Sequence, residues 1–466
     1  MRVNTVLPVA FFALLGILQV CQATDRLVFL QAVWRHGDRS PIATFPTDEH
    51  QEDAWPQGWG ELSPKGMQQH LFLAANRLRP RYVDEIKFLN PQYRSHEVYF
   101  TSTDVNRTIL SAVANTIGLY SSSSRVGIDY PACEKGTPCW PATFVPVPIH
   151  TEGYDLDFIL NPDANCQRQT ALWEHVKCSP EFKKFWNSQN DFIKFLSDNA
   201  GIEIIPDNLW IVQDSLYIEQ LYNISLPKWA QSQYNGKPVY QMIESLMNEV
   251  ERFMNGIDIK NHKGVDFNAE IARIRGGGLL WAIIGNMQEK ARCIQDPSGP
   301  KCGFYSNLKF FAYSAHDTTL AALFRVLGFS KTNYREDGYP HYSSAVTIEL
   351  WATPAGAYYT KFIYWPLGEQ EYDVTPEITG CPGTNNTGCP IETLFQRSLP
   401  FRPFPDVATW CATPLFKRNC KLNLQKTSWN SSDTNGFMDF EAEDDAKFVA
   451  RRRSDANPRN SWRYEF

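Results

Sequence analysis

Leu27-Val28-Phe29-Leu30-Gln31-Ala32-Val33, followed after Trp34 by Arg35-His36-Gly37-Asp38-Arg39-Ser40-Pro41, decides how the rest of this chain reads. A short, nearly continuous apolar run is the pattern of a strand buried on both faces, as in a parallel sheet. The polar cluster at its end sets a histidine between two arginines, which folding alone does not explain. Burying two guanidiniums is costly unless each meets an anion, and the one carboxylate alongside is Asp38. Phosphate is the ligand that an arginine fork matches best. An imidazole held between such forks would face the phosphorus atom, so the motif reads as a phosphate-binding nucleophile. Asp38 itself reads as a turn residue orienting Arg39.

Two later segments repeat this plan of strand, polar cluster and helix start. His96–Thr101 is strand-like and leads to Asp104-Val105-Asn106-Arg107-Thr108. Thr103 or Asp104 is expected to cap a helix whose apolar face is Val105, Ile109, Val113 and Ile117. Lys309–Ser314 is the third strand; Ala315-His316-Asp317-Thr318-Thr319 follows, then a helix to Leu327 with Gly328 at its C-cap. Ligands of open parallel α/β sheets bind beyond the carboxyl ends of the strands. Neighbouring strands would therefore bring the clusters into one pocket. There Arg35, Arg39, Arg107 and His316 would bind phosphate, His36 would attack it, and Asp317 would protonate the leaving oxygen while also capping its helix. Arginine supplies the electrostatics, so no metal or cofactor is called for.

The remaining sequence organises around these segments. Ser63-Pro64 opens a helix with Met67, Leu71, Leu73, Ala74 and Leu78 on one face. Cys133–Cys302 alternates tryptophans, prolines and helical patterns, for example Gln213–Trp229 and Val239–Met254, and reads as a mainly helical insertion. Its Arg275-Gly276-Gly277-Gly278-Leu279 run reads as a close helix-packing contact rather than a phosphate cradle. Ala345–Trp351 and Tyr358–Trp365 form a hairpin turned at Thr353-Pro354-Ala355-Gly356, and Glu377–Phe404 reads as loop. From Asn430 the chain is polar and charged, so disorder is expected. The implied boundaries are a signal peptide 1–23, an α/β domain from 24–132 and 303–429, the insertion 133–302, and the tail 430–466.

With 466 residues, 43% of them hydrophobic, the chain can bury a large core, and its net charge of −6 argues against nucleic-acid or anionic-membrane partners. The apolar run Val6–Val20 behind Arg2, with small residues before Thr24, reads as a secretory signal. No second run of that length follows, so the mature chain is expected to lack an integral membrane segment. Removing the leader leaves ten of the eleven cysteines, an even number that implies disulfides in a secreted protein. They form sequence-near couples, yet longer cross-links such as Cys133 to Cys381 stay equally open. None is spaced C-x-x-C, which disfavours zinc. Glycan acceptor sequences begin at Asn106, Asn223, Asn385 and Asn430.

The intact R-H-G-x-R-x-P motif at Arg35–Pro41 and the His316-Asp317 pair resemble the histidine acid phosphatase family, a branch of the histidine phosphatase superfamily. Gly58-Trp59-Gly60 and Thr101–Thr108, with Arg107 as third phosphate-binding arginine, extend the resemblance over about 25–420. It implies an α/β fold, phosphoglycerate mutase-like, with a mainly parallel central sheet flanked by helices and a large helical insertion. It also implies a secreted or lysosomal acid phosphatase, glycosylated and dimeric, cleaving small phosphate monoesters through a phosphohistidine at His36. The family's usual aspartate before the third arginine is Asn106 here. A glycan at that point would obstruct the pocket, so Asn106 is expected to carry none. The alternatives are a phytase-like inositol polyphosphate phosphatase, disfavoured by the acidic balance, and an inactive secreted binding protein, disfavoured by the intact His36, His316 and Asp317. A mutase is disfavoured by the leader and the cysteines. An imidazole of ordinary pKa is only about 3% neutral at pH 5. The neighbouring arginines should lower His36 enough to keep it nucleophilic in acid, and an acidic optimum is expected.

Overall fold

The computed structural model describes residues 24–121, 125–261, 264–382 and 388–415. The leader, the tail from Asn430 and the sequons at Asn385 and Asn430 lie outside them. The first strand, β1 (Arg26–Arg35), is buried from Leu27 onward, as its continuous apolar run requires. Helix α1 (Pro64–Phe72) begins at Ser63, whose side chain accepts from the Gly66 amide. It continues in wider turns through Leu73–Leu78 and Pro80–Glu85. Strand β2 (Val98–Thr103) leads directly into α2 (Asn106–Tyr120), and β3 (Ile149–Glu152) is a strand that sequence reading misses.

A helical stretch follows: α3 (Gln167–Lys177), α4 (Pro180–Asn187), α5 (Asn190–Ala200) and α6 (Leu209–Leu221). A two-residue ribbon, β4 (Gln233–Tyr234) with β5 (Lys237–Pro238), precedes α7 (Val239–Met254) and the long α8 (Phe267–Gln295). After the short α9 (Cys302–Tyr305) come β6 (Phe310–Ala315) and α10 (Asp317–Leu327), ended by a left-handed Gly328. The hairpin β7 (Ala345–Ala352) and β8 (Tyr358–Trp365) is followed by β9 (Tyr372–Asp373), β10 (Cys389–Pro390), α11 (Ile391–Ser398) and α12 (Val407–Ala412).

The strands form one eight-stranded mixed sheet in the order β10-β8-β7-β1-β6-β2-β3, with β9 beside β8. Its central pairs β1–β6, β6–β2 and β2–β3 are parallel, whereas β7 joins β1 antiparallel. Helices cover both faces. Phe29 and Val33 of β1 pack in one core with Leu280 and Ile283 of α8 and Leu323 of α10. Leu30, Ala32 and Trp34 pack on the other face with Leu78, Tyr82 and Ala112. Buried Gln31 interrupts the apolar run, and its Nε2 donates to Ile283 O at 3.0 Å. Each buried apolar side chain contributes about 1.5–3 kcal/mol of transfer free energy, so this doubly covered strand anchors the fold.

The glycine run lies inside α8, where a Cβ on Gly276, Gly277 or Gly278 would meet Ala322 O, Phe401 O or Phe158 O at 2.4, 2.3 and 2.6 Å. It is a packing contact, as its sequence suggests. Among the described residues no helix is long and apolar enough to cross a membrane. The disulfides Cys133–Cys139, Cys293–Cys302 and Cys381–Cys389 are local, while Cys166–Cys411 closes a separation of 245 residues.

Three local expectations need correction. Val105, not Thr103 or Asp104, is the N-cap residue of α2, because the Thr103 hydroxyl is already engaged with Thr108 Oγ1 at 2.9 Å and His316 Nε2 at 3.0 Å. The fully buried side of that helix is Thr108, Ser111, Ala112 and Asn115, while Val105, Ile109, Val113 and Ile117 are half-buried. Its inner side is small and polar because it receives loop backbone: Gly37 N donates to Ser111 Oγ at 3.0 Å. Finally, Glu377–Phe404 is not all loop. Ile391, Leu394, Phe395 and Ser398 form a helical stripe in α11 with Leu394 fully buried, a period that the surrounding Pro-Gly-Asn composition hides.

Candidate active site

The three clusters of the sequence sit at the carboxyl ends of adjacent parallel strands, because β6 lies between β1 and β2. Trp34 Nε1 donates to Ser314 Oγ at 2.8 Å, and Ser314 Oγ donates to Thr108 O at 2.6 Å. That chain of bonds ties β1, β6 and α2 together immediately beneath the site. Gly37 and Gly66 let the loop after β1 lie against α1: a Cβ on Gly37 would stand 2.3 Å from Gly66 O, and one on Gly66 would stand 2.2 Å from Asp38 O. No other residue fits either position.

His36 and His316 face each other with ring centroids 5.7 Å apart, and both residues are buried. His36 Nδ1 lies 2.7 Å from Gly37 O. A carbonyl only accepts, so Nδ1 carries the hydrogen and the neutral ring keeps its lone pair on Nε2. His316 Nε2 lies 3.0 Å from Thr103 Oγ1, whose own hydrogen is directed to Thr108 Oγ1; Nε2 is therefore the donor. Both imidazoles are held well below the ordinary histidine range. Burial is the first cause for each, followed by the Arg107 guanidinium, with Arg35 and Arg39 adding to it. The field of all three arginines thus reaches both rings.

Arg35 Nη1 donates to Pro340 O at 2.7 Å, and its Nη2 pairs with Asp317 Oδ2 at 2.7 Å. Its guanidinium lies 4.1 Å over the Tyr342 ring, whose centroid is 5.8 Å from that of His36. Arg39 grips Asp214 of α6 with two bonds, at 2.8 and 3.1 Å. Yet Arg35 Nε and Arg39 Nε are buried without a hydrogen-bond partner among the described residues. Arg107, half-buried at the start of α2, places Nη1 3.5 Å from where a Cβ on Gly60 would stand.

His316 takes the N-cap position of α10 that sequence reading gives to Asp317. Its amide donates to Thr319 Oγ1 at 3.2 Å, while Asp317 starts the helix and accepts from Thr318 N at 2.7 Å. The Asp38 carboxylate does not orient the Arg39 guanidinium, which is held by Asp214 and Ser40 O. Asp38 is fully buried and accepts from Ser63 Oγ and Tyr222 Oη, joining the loop to α1 and to the end of α6. The Asn106 amide donates to Glu61 Oε1 at 2.8 Å, so the nitrogen of that sequon is engaged.

All six expected site residues, His36, Asp317, Arg35, Arg39, Arg107 and His316, therefore belong to one cage. Sequence reading does not place Asp214, Thr103 or Tyr342 in the site. Asp214 lies mid-helix, 175 residues from Arg39, and nothing local distinguishes it. Such an array can bind a tetrahedral dianion through convergent N–H groups and present one unprotonated nitrogen to it.

The chain is similar to several known proteins. It is 32% identical to human lysosomal acid phosphatase over 84% of this chain and 82% of that protein. It is 32% identical to human prostatic acid phosphatase over 83% and 88%, respectively. Among solved structures, the apo form of Hafnia alvei phytase aligns with a TM-score of 0.55 at 16% identity, covering 85% of this chain and all of that one; at that identity the likeness is one of fold. The family description "Histidine phosphatase superfamily (branch 2)" matches residues 26–365, and the chain belongs to that superfamily.

Proposed function

We propose that this protein is an acid phosphatase that hydrolyses small phosphate monoesters through a phosphohistidine at His36. The observation that carries the reading is the His36 ring: Nδ1 is occupied by Gly37 O at 2.7 Å, so Nε2 is the free nucleophilic atom within the field of three arginines. Arg35, Arg39 and Arg107 bind the phosphoryl oxygens, and His316 joins them by turning its Nε2–H from Thr103 Oγ1 to the phosphate. The substrate phosphate competes with Asp317 for Arg35 Nη2, which turns the Asp317 carboxyl toward the leaving oxygen.

His36 Nε2 forms a bond to phosphorus as the ester P–O bond breaks, and Asp317 passes a proton to the departing oxygen. A phosphate monoester below its second pKa of about 6 brings that proton with it. Water then attacks the phosphohistidine, giving its proton to Asp317, and inorganic phosphate leaves with His36 restored. Lowering of the His36 pKa by burial and the arginines keeps more of the ring unprotonated in acid than an ordinary histidine would be, which supports an acidic optimum. The cross-linked cysteines support an oxidising compartment, secreted or lysosomal.

The test is a rapid-quench reaction with a simple phosphomonoester. An acid-labile, base-stable phosphate should appear on the peptide containing His36, and His36→Ala should lower kcat by about 10⁴-fold or more. Retention of activity within tenfold by that variant would refute the assignment.

A further inference from the structure

Past the loop that carries Arg39 the charge balance is reversed. Asp48 and His50 follow that loop, and Glu219 lies in α6, 169 residues beyond His50. One carboxylate oxygen from each acid and one ring nitrogen of His50 all fall within 4.8 Å of one another. His50 Nδ1 is 2.9 Å from Glu219 Oε1 and 3.5 Å from Asp48 Oδ1, and both acid side chains are only 1% exposed. Glu219 Oε2 is buried with no hydrogen-bond partner among the described residues. Two carboxylates thus face each other in the interior beside one partly exposed imidazole. Buried charge of one sign is costly unless something neutralises it.

We propose that Asp48, His50 and Glu219 form a binding site for one zinc-class divalent cation, separate from the phosphate cage. A doubly charged ion cancels the two carboxylates. One imidazole nitrogen and two carboxylate oxygens form a mixed N/O donor set that suits zinc, whereas calcium and magnesium favour oxygen alone. Zinc bonds of about 2.0–2.1 Å give a tetrahedron with edges of roughly 3.3 Å, and the observed 2.9 and 3.5 Å separations bracket that length. The partly exposed His50 leaves a side open for a water as fourth ligand. Asp48 is already oriented: Oδ1 accepts from His50 N at 3.0 Å and Oδ2 from Thr44 Oγ1, the kind of outer support that metal-binding carboxylates need. Ser215 Oγ donates to Ala43 O at 3.0 Å and Asp214 holds Arg39, so the ion would fasten α6 to the loop at a further point. Its role is structural and leaves the phosphoryl chemistry to the cage.

The test uses EDTA-treated, full-length protein titrated with Zn²⁺ by calorimetry and with Co²⁺ by visible absorption. The comparison variants are His50→Ala and, as control, His96→Ala, which alters an exposed histidine. Wild type and the control should take up one Zn²⁺ per chain and gain thermal stability with it. His50→Ala should bind about 100-fold more weakly or not at all, with phosphatase activity unchanged as evidence that it folds. Equal Zn²⁺ affinity in His50→Ala and wild type would overturn the site. Should His50→Ala misfold, the wild-type Co²⁺ spectrum decides: absence of the d–d bands of a four- or five-coordinate ion overturns the proposal.

Discussion

Two buried charge clusters lie on the same sheet and have opposite logic. On the antiparallel half, the fully buried Glu349 of β7 receives Arg81 Nε and Nη2 at 3.0 and 2.8 Å, Tyr82 Oη at 2.8 Å and Trp351 Nε1 at 2.9 Å. Charge and hydrogen bonds close on themselves there. At the ends of the parallel strands, Arg35, Arg39 and Arg107 surround two imidazoles. Asp317 pairs with Arg35 and Asp214 with Arg39, yet Arg35 Nε and Arg39 Nε stay without a hydrogen-bond partner among the described residues. A network built only for stability satisfies its members. A network left with orphaned cationic donors is complementary to an anion that arrives from outside.

The sharpest way to break this contrast is to remove one carboxylate from each cluster. Asp317→Asn should lower kcat on an alkyl phosphate by about 10²–10⁴-fold, the usual worth of a general acid, and by less on an aryl phosphate whose leaving group needs little protonation. Some stability in urea should be lost as well, because Arg35 is 6% exposed and gives up its paired carboxylate, but inorganic phosphate, by supplying an anion, should restore it. An equal loss on both esters would remove Asp317 from the proton path.

Glu349→Gln should lose stability without losing activity. Removing one member of a buried pair is strongly destabilising, though the Arg81 side chain is 29% exposed and water will take up part of its charge. A loss of about 1–3 kcal/mol in urea unfolding is expected, with kcat/KM unchanged. A variant that unfolds like wild type but loses activity would mean that the closed network serves the site after all.

The difference between these clusters also accounts for what the sequence makes legible. The cage could be read because each of its principal members sits at a strand end or within four residues beyond it, at Arg35–Arg39, Arg107 and His316-Asp317, so that local pattern and sheet topology suffice. Asp214 and Tyr342 escape that reading because they arrive from α6 and from the segment before β7, and only tertiary packing places them. The same holds for Cys166–Cys411, which no spacing singles out, and for Asp48, His50 and Glu219. Reading cysteine spacings for metal sites cannot find ligands divided between a loop and a distant helix. The missed α11 and the misassigned caps have a different cause. Composition outweighed periodicity over 377–404, and at Thr103 a tertiary hydrogen bond with His316 took the hydroxyl that a local cap would have used.

The smallest expected effect separates the cage from the closed core by pH. His70 is fully buried beneath the site, its Nε2 donating to Arg35 O at 3.0 Å, and burial holds it at about 3. That depression owes nothing to arginine charge; the hydrogen bond to Arg35 O acts in the opposite direction. A histidine whose folded pKa lies below its unfolded value of about 6.5 binds more protons when unfolded. Its neutral burial is therefore tolerated above pH 6.5, and stability is lost as the pH falls from there toward 3, by about 1.4 kcal/mol per unit. Between pH 6.5 and 5 the His70 share is about 2 kcal/mol. His36 and His316 add slopes of the same sign, but theirs arise partly from the cage cations. Inorganic phosphate, by neutralising those cations, should recover part of the acid stability of wild type. His70→Gln should flatten the slope with or without phosphate, because no anion reaches that ring. Urea unfolding at several pH values, with and without phosphate, measures both terms. A phosphate-insensitive slope in wild type would mean that the cage does not bind the anion for which its charge is arranged.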